Sequence, residues 1–523
     1  MAGTLLCYFA FHLAQFLYRD ATSPLRHVAG PASPSWIFGN FKQFTRSLCS
    51  VLPRSRRWTY GRQVPELYTA DLKALNHIVA NSAVYQKPPP SRKSNRRLMG
   101  NGIFVVEMDD HKRQNPAFSS SQIRLLNEVF LEKSLLLRDM LAARAQAGSD
   151  GEARVEILSW LRRMTLDVIG QAGAPIFFNS LDKSDSDAPD PLGRAFTELF
   201  HSPHANRYAA FRMAQSIVPI LEIFPMPGWT VRRNARNAMH TIGSQILARS
   251  RARFKEDGGK DLDGRRDLLS VLIKANMSVD IPESQRLSDA EVIAQIPTFF
   301  IAGHETTSSA AVWALHALSH DIPVQDKLRA ELLGIATDTP TMDALNALPY
   351  LEWVVRETMR VHSPIMQLRR MAMADDVLPL AQPYIDTHGT AHMSLPIPKG
   401  QVIHIPVLAI NTDKDIWGAD ADEFRPERWA RVPDATSAIP TAWANLMTFF
   451  AGPHHCLGFR FSIVELKVLL FTLIRAFEVR PAVPRASIKP YVTGLVQRPM
   501  VVGPVHKGSG LPLIIRPYKV ETA

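Results

Sequence analysis

Cysteine is almost missing from this chain: Cys7, Cys49 and Cys456 are the only three among 523 residues, and they follow no regular spacing. That scarcity argues against a disulfide-stapled scaffold and points to a reducing, cytosol-facing environment. Internal repeats are also missing, which removes solenoid and propeller architectures. No linker is long enough to separate independent units, so residues 35–523 are expected to form a single catalytic domain despite their length. Long charge-free runs are scarce too. The one candidate, Met1 to Tyr18, carries Leu5, Leu6, Phe9, Phe11, Leu13, Phe16 and Leu17 without a charged side chain. Its length falls at the short end of the roughly 17–25 residues that span a bilayer. Arg19 and Arg26 follow it, which places the remainder on the cytoplasmic side. The run has neither the basic leader nor the small-residue cleavage site of a signal peptide. The expectation is a short membrane anchor over 1–18, spanning or interfacial, then a hinge over 19–34 containing Ala29-Gly30-Pro31-Ala32-Ser33-Pro34.

What the chain does have is apolar bulk and positive charge. Hydrophobic residues make up 46% and charged residues 21%, enough to bury a large core. The net charge of +11 raises the question of nucleic acid, but that function needs clustered basic residues interleaved with exposed aromatics. Lys and Arg are instead scattered, with local clusters only at Arg92 to Arg97 and Arg249 to Lys255. No nucleic-acid partner is expected; solvated surface is the default account of these residues, and attraction to anionic lipid and to an acidic electron-donor protein is the sharper one. Helical periodicity covers Ser121 to Ala147, Val155 to Gly170, Pro191 to Phe200, Ala209 to Leu221 and Arg233 to Phe254. Charged, Asp/Gly-rich loops are expected at Lys183 to Asp190 and Asp257 to Arg266, with short strands near Val402 to Pro406 and in Val492 to Pro517. The fold class is α+β, mainly α-helical, with small β-sheets.

Four stretches carry chemistry. Cys456 ends Phe449-Phe450-Ala451-Gly452-Pro453-His454-His455-Cys456, and Gly458 precedes the apolar run Phe459 to Phe477, which reads as a buried helix. A thiol at such a helix start lies near free N–H groups and the positive dipole end, which lower its pKa. Gly452 permits a tight turn, and Gly458 permits close backbone approach to the sulfur. Such an elbow suits a proximal thiolate ligand for heme iron. A buried structural thiol is the plainer alternative. Zinc is weaker still, because adjacent residues cannot converge on one tetrahedral ion.

The second stretch is Ala302-Gly303-His304-Glu305-Thr306-Thr307, inside a long apolar helix expected from Val292 to Leu318. Gly303 and Thr306 share a face, so a missing side chain one turn from a hydroxyl makes a notch for a small ligand. Glu305 would supply a titratable group beside it. The competing account is a glycine that permits close helix packing, with Thr306 bonded back to a carbonyl. The third stretch, Glu357-Thr358-Met359-Arg360, puts an acid and a base on one helix face; alone, such a pair is usually solvated surface and contributes little. The fourth is Phe424-Arg425-Pro426-Glu427-Arg428-Trp429, which can bring another guanidinium to Glu357.

In this order, the four pieces resemble the cytochrome P-450 heme-thiolate monooxygenases, over roughly Pro31 to the C-terminus. The stretch from Pro398-Lys399-Gly400 to Trp417-Gly418 is similar to a membrane-bound fungal branch of that family. The resemblance implies heme b between the long notch helix and the Cys-bearing helix. It implies Cys456 as axial iron ligand, with Phe449 shielding the sulfur and Gly452, His454 and Gly458 shaping the heme-binding loop. Arg370 matches the position of an arginine on a heme propionate, and Gly303 the place beside dioxygen. Thr306 with Glu305 would be the catalytic pair that delivers protons. Glu357, Arg360 and Arg428 would form a buried charge network. The implied activity is O2- and NADPH-dependent oxidation of a lipophilic small molecule, with electrons from a separate NADPH-cytochrome reductase docked on the cysteine side. The implied location is a membrane, the endoplasmic reticulum, with the catalytic domain facing the cytosol.

Three departures accompany the resemblance. His454 stands where the family has arginine; its charge depends on pH near neutrality. The segment Asp110 to Phe118 is about one helical turn short, with Asn115 at a position relatives fill with arginine. The stretch from Trp58 to Thr69 is shorter than the family's first hairpin. The family's pocket positions hold Phe104, Phe211, Phe299, Phe300, Ile365, Met366 and Leu368, an apolar set that predicts a lipophilic substrate such as a terpenoid. Two other functions stay open: a heme-thiolate isomerase or dehydratase that needs no O2, and a non-catalytic heme-binding paralogue.

Overall fold

Side-chain oxygens mark where the helices of this chain begin. Asp71, Ser119, Ser288 and Asp321 each accept a hydrogen bond from a backbone N–H three residues on, satisfying a donor that the first turn leaves unpaired. The computed structural model describes residues 7, 8, 10, 11, 14, 18, 22–28, 55–60, 64–107, 118–148, 150–173, 176, 178–182, 229–256, 267–277, 286–493, 496–503 and 509–519. In chain order, the principal elements begin with β1 (Ser55–Tyr60), β2 (Val64–Thr69), α1 (Leu72–Ala80), β3 (Tyr85–Gln86), α2 (Pro89–Met99) and α3 (Ser120–Gln146). There follow β4 (Ala153–Glu156), α4 (Ile157–Gly173), α5 (Trp229–Glu256), α6 (Leu268–Met277), α7 (Asp289–His320), α8 (Ile322–Leu333) and α9 (Pro349–Val361). The chain continues through β5 (Leu368–Ala372), β6 (Asp376–Ile385), β7 (Ala391–Ile397) and β8 (Val402–Ile405). It closes with α10 (Phe459–Ala476), β9 (Phe477–Pro481), β10 (Ile488–Thr493), β11 (Val496–Val501) and β12 (Pro512–Pro517). The helix-dominated α+β class expected from sequence is what forms. The expected helices 191–200 and 209–221, and the loops 183–190 and 257–266, lie outside the described residues.

The residues divide into two compact units, each assembled from separate stretches of chain. One unit comprises 1–88, 365–423 and 430–456. Its centre is a five-stranded sheet in the order β1-β2-β8-β5-β3. β1 and β2 pair antiparallel from Ser55↔Thr69 to Tyr60↔Val64. The stretch that looked too short for the family's first hairpin therefore still makes one. Glu66 on β2 is 5% exposed and is engaged by His404 on β8 and by Arg369 on β5 at 2.9 Å. Burial alone would raise the Glu66 carboxyl, but those two partners hold it below its ordinary value. A second hairpin, β6–β7, receives residues 22–28: Thr387 N donates to His27 O at 2.9 Å, and Leu25 is fully buried. Part of the expected hinge is thus packed structure, because an apolar side chain finds a core there. Most of the expected anchor, and Ala29 to Pro34, lie outside the described residues. Among the described residues no helix is long and apolar enough to cross a membrane.

The other unit comprises 89–364, 424–429 and 457–523. Helix α7 runs 32 residues through it. Ser288 and Glu291 close a reciprocal capping box at its start, and Asp289 and Glu291 complement the positive end of the helix dipole. Ala310, Ala311, Val312, Ala314, Leu315 and Leu318 are buried along its second half. Helices α3 and α10 meet through Phe130 and Phe461, edge to face at 4.8 Å. The sheets here are a three-stranded one, β4-β12-β9, and the hairpin β10–β11.

One carboxylate dominates the polar interior of this unit. Glu357 on α9 is 0% exposed. Arg360, also 0% exposed, reaches it with two donors, Nε to Oε2 at 2.9 Å and Nη2 to Oε1 at 2.7 Å. Arg425 N at 2.9 Å, Trp429 Nε1 at 3.0 Å and Arg428 Nε at 3.4 Å complete the set. Five donors on one carboxylate offset the desolvation that a lone buried charge would suffer. Removing the acid strands two guanidinium groups. Glu357→Ala is expected to destabilise the protein by about 3–5 kcal/mol, measured by denaturant unfolding.

The C-terminal end of α7 holds a histidine cluster. His362 stacks on Trp313 at 4.6 Å with planes 6° apart, and His316 lies 4.6 Å from His320. Burial first, then the neighbouring histidine and Arg485, push His316 and His362 each down to about 3. Both stay neutral in the fold where the unfolded chain takes up protons near the ordinary imidazole value. Their stability contribution is therefore complete above about 6.5 and is lost as pH falls toward 3, at about 1.4 kcal/mol per pH unit for each. Unfolding free energies at pH 7, 6 and 5 should show this slope, and His362→Phe should remove its share.

Candidate functional site

The loop before Cys456 is shaped by backbone strain and two glycine-type turns. Phe450 has φ 58 and ψ −161, a conformation costly for an aromatic residue. It is held by hydrogen bonds from its own N to Met447 O at 2.8 Å and from Ala442 N to its carbonyl at 3.0 Å. Gly452 has φ +62, and a Cβ there would sit 2.7 Å from Val79 Cγ1, so only glycine fits. Cys456 N then donates to Phe449 O at 2.9 Å, closing the loop. Phe449, Phe450 and Ala451 are all buried, and Phe449 packs edge-on against Trp443 at 5.6 Å.

Cys456 itself is exposed and forms no disulfide. That is unusual for cysteine, which is among the most buried residue types. Two residues on, Gly458 N-caps α10 with no side-chain cap. A Cβ at Gly458 would meet nothing nearer than Phe118 Cε1 at 3.7 Å, ordinary contact, so protein packing does not by itself require glycine there. An exposed thiol on a rigid loop, with an uncapped helix start just beyond it, suits a thiolate ligand for a heme iron. Arg370 on β5, 5% exposed, places its guanidinium 4.6 Å above the Phe450 ring and so packs on the same loop. His454 is buried, at 9% exposure.

On α7 the structure separates the residues expected to act together. A Cβ on Gly303 would lie 2.8 Å from Ile169 Cδ1 and Cγ1 on α4. The face left bare by this glycine is therefore filled by a neighbouring helix, and the expectation that its missing side chain opens a ligand notch is corrected: the glycine lets α4 close on α7. Thr306 Oγ1 donates to Ala302 O at 2.6 Å and stays half-buried. Glu305, 7% exposed, is ringed by two arginines and a histidine. Arg498 on β11 pairs with its Oε2, Arg162 Nη2 on α4 lies 3.4 Å from Oε1, and His304 Nε2 lies 3.5 Å from Oε1. Burial pulls the Arg162 guanidinium below its ordinary value, and Glu305 counters that. Glu305 is thus bound into an ion cluster. Among the pocket positions, Phe300 is core, edge-on to Phe178 at 5.2 Å. Phe299 packs on Phe118 at 5.7 Å, and Phe104 is half-buried. Ile365, Met366 and Leu368 lie in the unit that carries Cys456. Phe211 and Asn115 lie outside the described residues.

Sequence reasoning missed Phe450, Trp443, Arg162 and Arg498. The two arginines left no local signal, because their carboxylate is 143 and 193 residues away in sequence. Phe450 carried only the weak cue of sitting between Phe449 and a Gly-Pro turn.

A helix-rich fold with an exposed thiol on a strained loop and a buried Glu-x-x-Arg pair defines a class of heme-binding enzyme, and comparison with known proteins makes it specific. The sequence pattern of the family described as Cytochrome P-450 matches residues 30–500. Cytochrome P-450 monooxygenases 205 and 128 of Postia placenta are each 44% identical to the chain. The first match covers 95% of this chain and 94% of the relative, the second 99% and 97%. Ganoderic acid synthetase of Ganoderma lucidum is 33% identical over 87% of this chain and 88% of its own length. The chain belongs to the cytochrome P-450 family. Membership implies a heme with thiolate ligation and an oxidoreductase activity.

The packing at Gly303 is open to a double-mutant test. Gly303→Ala is expected to lose stability through its clash with Ile169. Gly303→Ala combined with Ile169→Ala should lose less than the two single changes summed, because the second makes room for the first. Thermal unfolding of the four proteins reads this directly.

Proposed function

We propose that this cytochrome P-450 is a monooxygenase that inserts one oxygen atom from O2 into a lipophilic small molecule, and that the Cys456 thiolate would hold its heme iron. The observation that carries the reading is the Cys456 elbow: an exposed thiol fixed by the Phe449 carbonyl, the Gly452 turn and the strained Phe450. When bound, the heme supplies oxygen activation, with electrons from NADPH passed on by a separate reductase. The chain's residues supply the rest. Phe449, packed edge-on against Trp443, would shield the sulfur. Arg370, held over Phe450 at 4.6 Å, and His454 would hold the heme propionates. Thr306 Oγ1 commits its own proton to Ala302 O, so its lone pairs stand ready to accept a hydrogen bond from a protonated partner. Glu305 is the neighbouring acid, and its release from Arg498 would set when it takes part.

The substrate reading is a terpenoid or similar polycyclic fungal metabolite made in secondary metabolism. Phe104, Phe299 and Met366 support a lipophilic ligand, and the name of ganoderic acid synthetase supports that direction. The net charge of +11 suits an acidic reductase and an anionic membrane, and residues 1–18 would anchor the protein to the endoplasmic reticulum, catalytic domain toward the cytosol.

Co-expression with a matched fungal reductase in a host fed candidate terpenoids, followed by mass spectrometry, tests the activity. Under oxygen-18 gas the product should gain one labelled atom; an unlabelled isomer or dehydrated product would point to O2-independent chemistry instead. Cys456→Ala should abolish the thiolate-type carbon-monoxide difference band of the reduced protein, and its survival would remove Cys456 as ligand.

A further inference from the structure

The last two turns of α10, at the end opposite the Cys456 loop, wall a cleft of about 210 Å³. Phe471 and Arg475 line it from α10, Leu135 and Arg138 from α3, Leu333 from the end of α8, and Asp338 from the loop that follows. All of these residues belong to one compact unit. Phe471 is buried at the base, whereas Arg138 and Arg475 keep part of their side chains in solvent and Asp338 is 61% exposed.

The two guanidinium groups are each held from behind. Arg475 lies 4.7 Å over the Phe471 ring and donates from Nη1 to Thr337 O at 2.7 Å, which leaves its Nη2 3.4 Å from Asp338 Oδ1. Arg138 donates from Nε to Asp139 Oδ1 at 2.8 Å and from Nη1 to the other Asp338 oxygen, Oδ2, at 3.1 Å. One carboxylate thus bridges two arginines, a geometry that suits any carboxylate entering the cleft. The present occupant is weakly held, because Asp338 is exposed on a loop and exposed ion pairs contribute little. Beside this cationic pair, Leu135, Leu333 and Phe471 offer apolar surface for a hydrocarbon chain. The volume is below that of a site for a drug-sized ligand, which limits the chain to medium length.

We propose that this cleft binds a medium-chain carboxylic acid, whose carboxylate replaces that of Asp338 between Arg138 and Arg475 while its chain lies over Leu135, Leu333 and Phe471. Asp338 is then a built-in competitor for the two arginines. The site shares no residue with those assigned above to the heme or to the oxidised substrate, and it does not depend on the monooxygenase reading.

Photoaffinity labelling of the heme-loaded, full-length protein with a diazirine-bearing octanoate, mapped by mass spectrometry, tests it. Label is expected on the peptides that carry residues 135–138, 333–338 or 471–476. Octanoate should compete it away, while octanol and inorganic sulfate at equal concentration should not. Asp338→Asn should tighten the apparent affinity by about threefold to fivefold, since it removes the competing charge. Arg138→Gln should weaken it by about tenfold. Label confined to other peptides, or an Asp338→Asn protein that binds no more tightly, would overturn the proposal. Competition by octanol equal to that by octanoate would overturn the part given to the arginines, and competition by sulfate would overturn the part given to the chain. Asp338→Asn changes an exposed loop, so the test stands even should Arg138→Gln not fold.

Discussion

A single buried carboxylate, Glu357, ties helix α9 to the segment 424–429. It draws two donors from Arg360 on its own helix and three from the segment 424–429, some seventy residues away in sequence. A buried ion pair stabilises little against an apolar replacement, but a half-removed one is severely destabilising. The cluster is therefore best understood as a device for specificity: only one placement of residues 424–429 on α9 satisfies the acid. Arg356 laid over Trp429 at 5.5 Å reinforces that placement from the other side of the helix.

The same logic governs the long helix α7. Its sequence puts Glu305, Thr306 and Thr307 in a row, which reads as one catalytic group. Helical geometry sends consecutive side chains about 100° apart, so each meets a different neighbour. Glu305 meets cations from α4 and β11, Thr306 turns back on Ala302, and Thr307 faces α10. Three adjacent residues thereby acquire three electrostatic environments. Arg498 links the state of Glu305 to the hairpin β10–β11, so any movement of that hairpin bears on the acid.

Much of the architecture was legible in order along the chain. Periodicity placed α3, α7 and α10 within a few residues of where they form, and the family resemblance, not the spacing itself, implied the buried Glu357–Arg360 pair on α9. Gly452 was read as a tight turn and is one, with φ +62. Gly303 was read as a notch and is a packing contact, since a sequence shows that a side chain is missing but not what fills the space. The hairpin β6–β7 escaped notice because its strands mix Pro, Gln and His with apolar residues.

Sequence alone determined the helical class, the family, the position of the thiol and the acid–base pair on α9, because each depends on residues close together in the chain. Tertiary structure alone decided which charges meet. The cations around Glu305 arrive from residues 162 and 498, on α4 and β11. Electrostatic environment is set by distance in space and by the exclusion of water, and neither quantity is written in the order of residues along a chain.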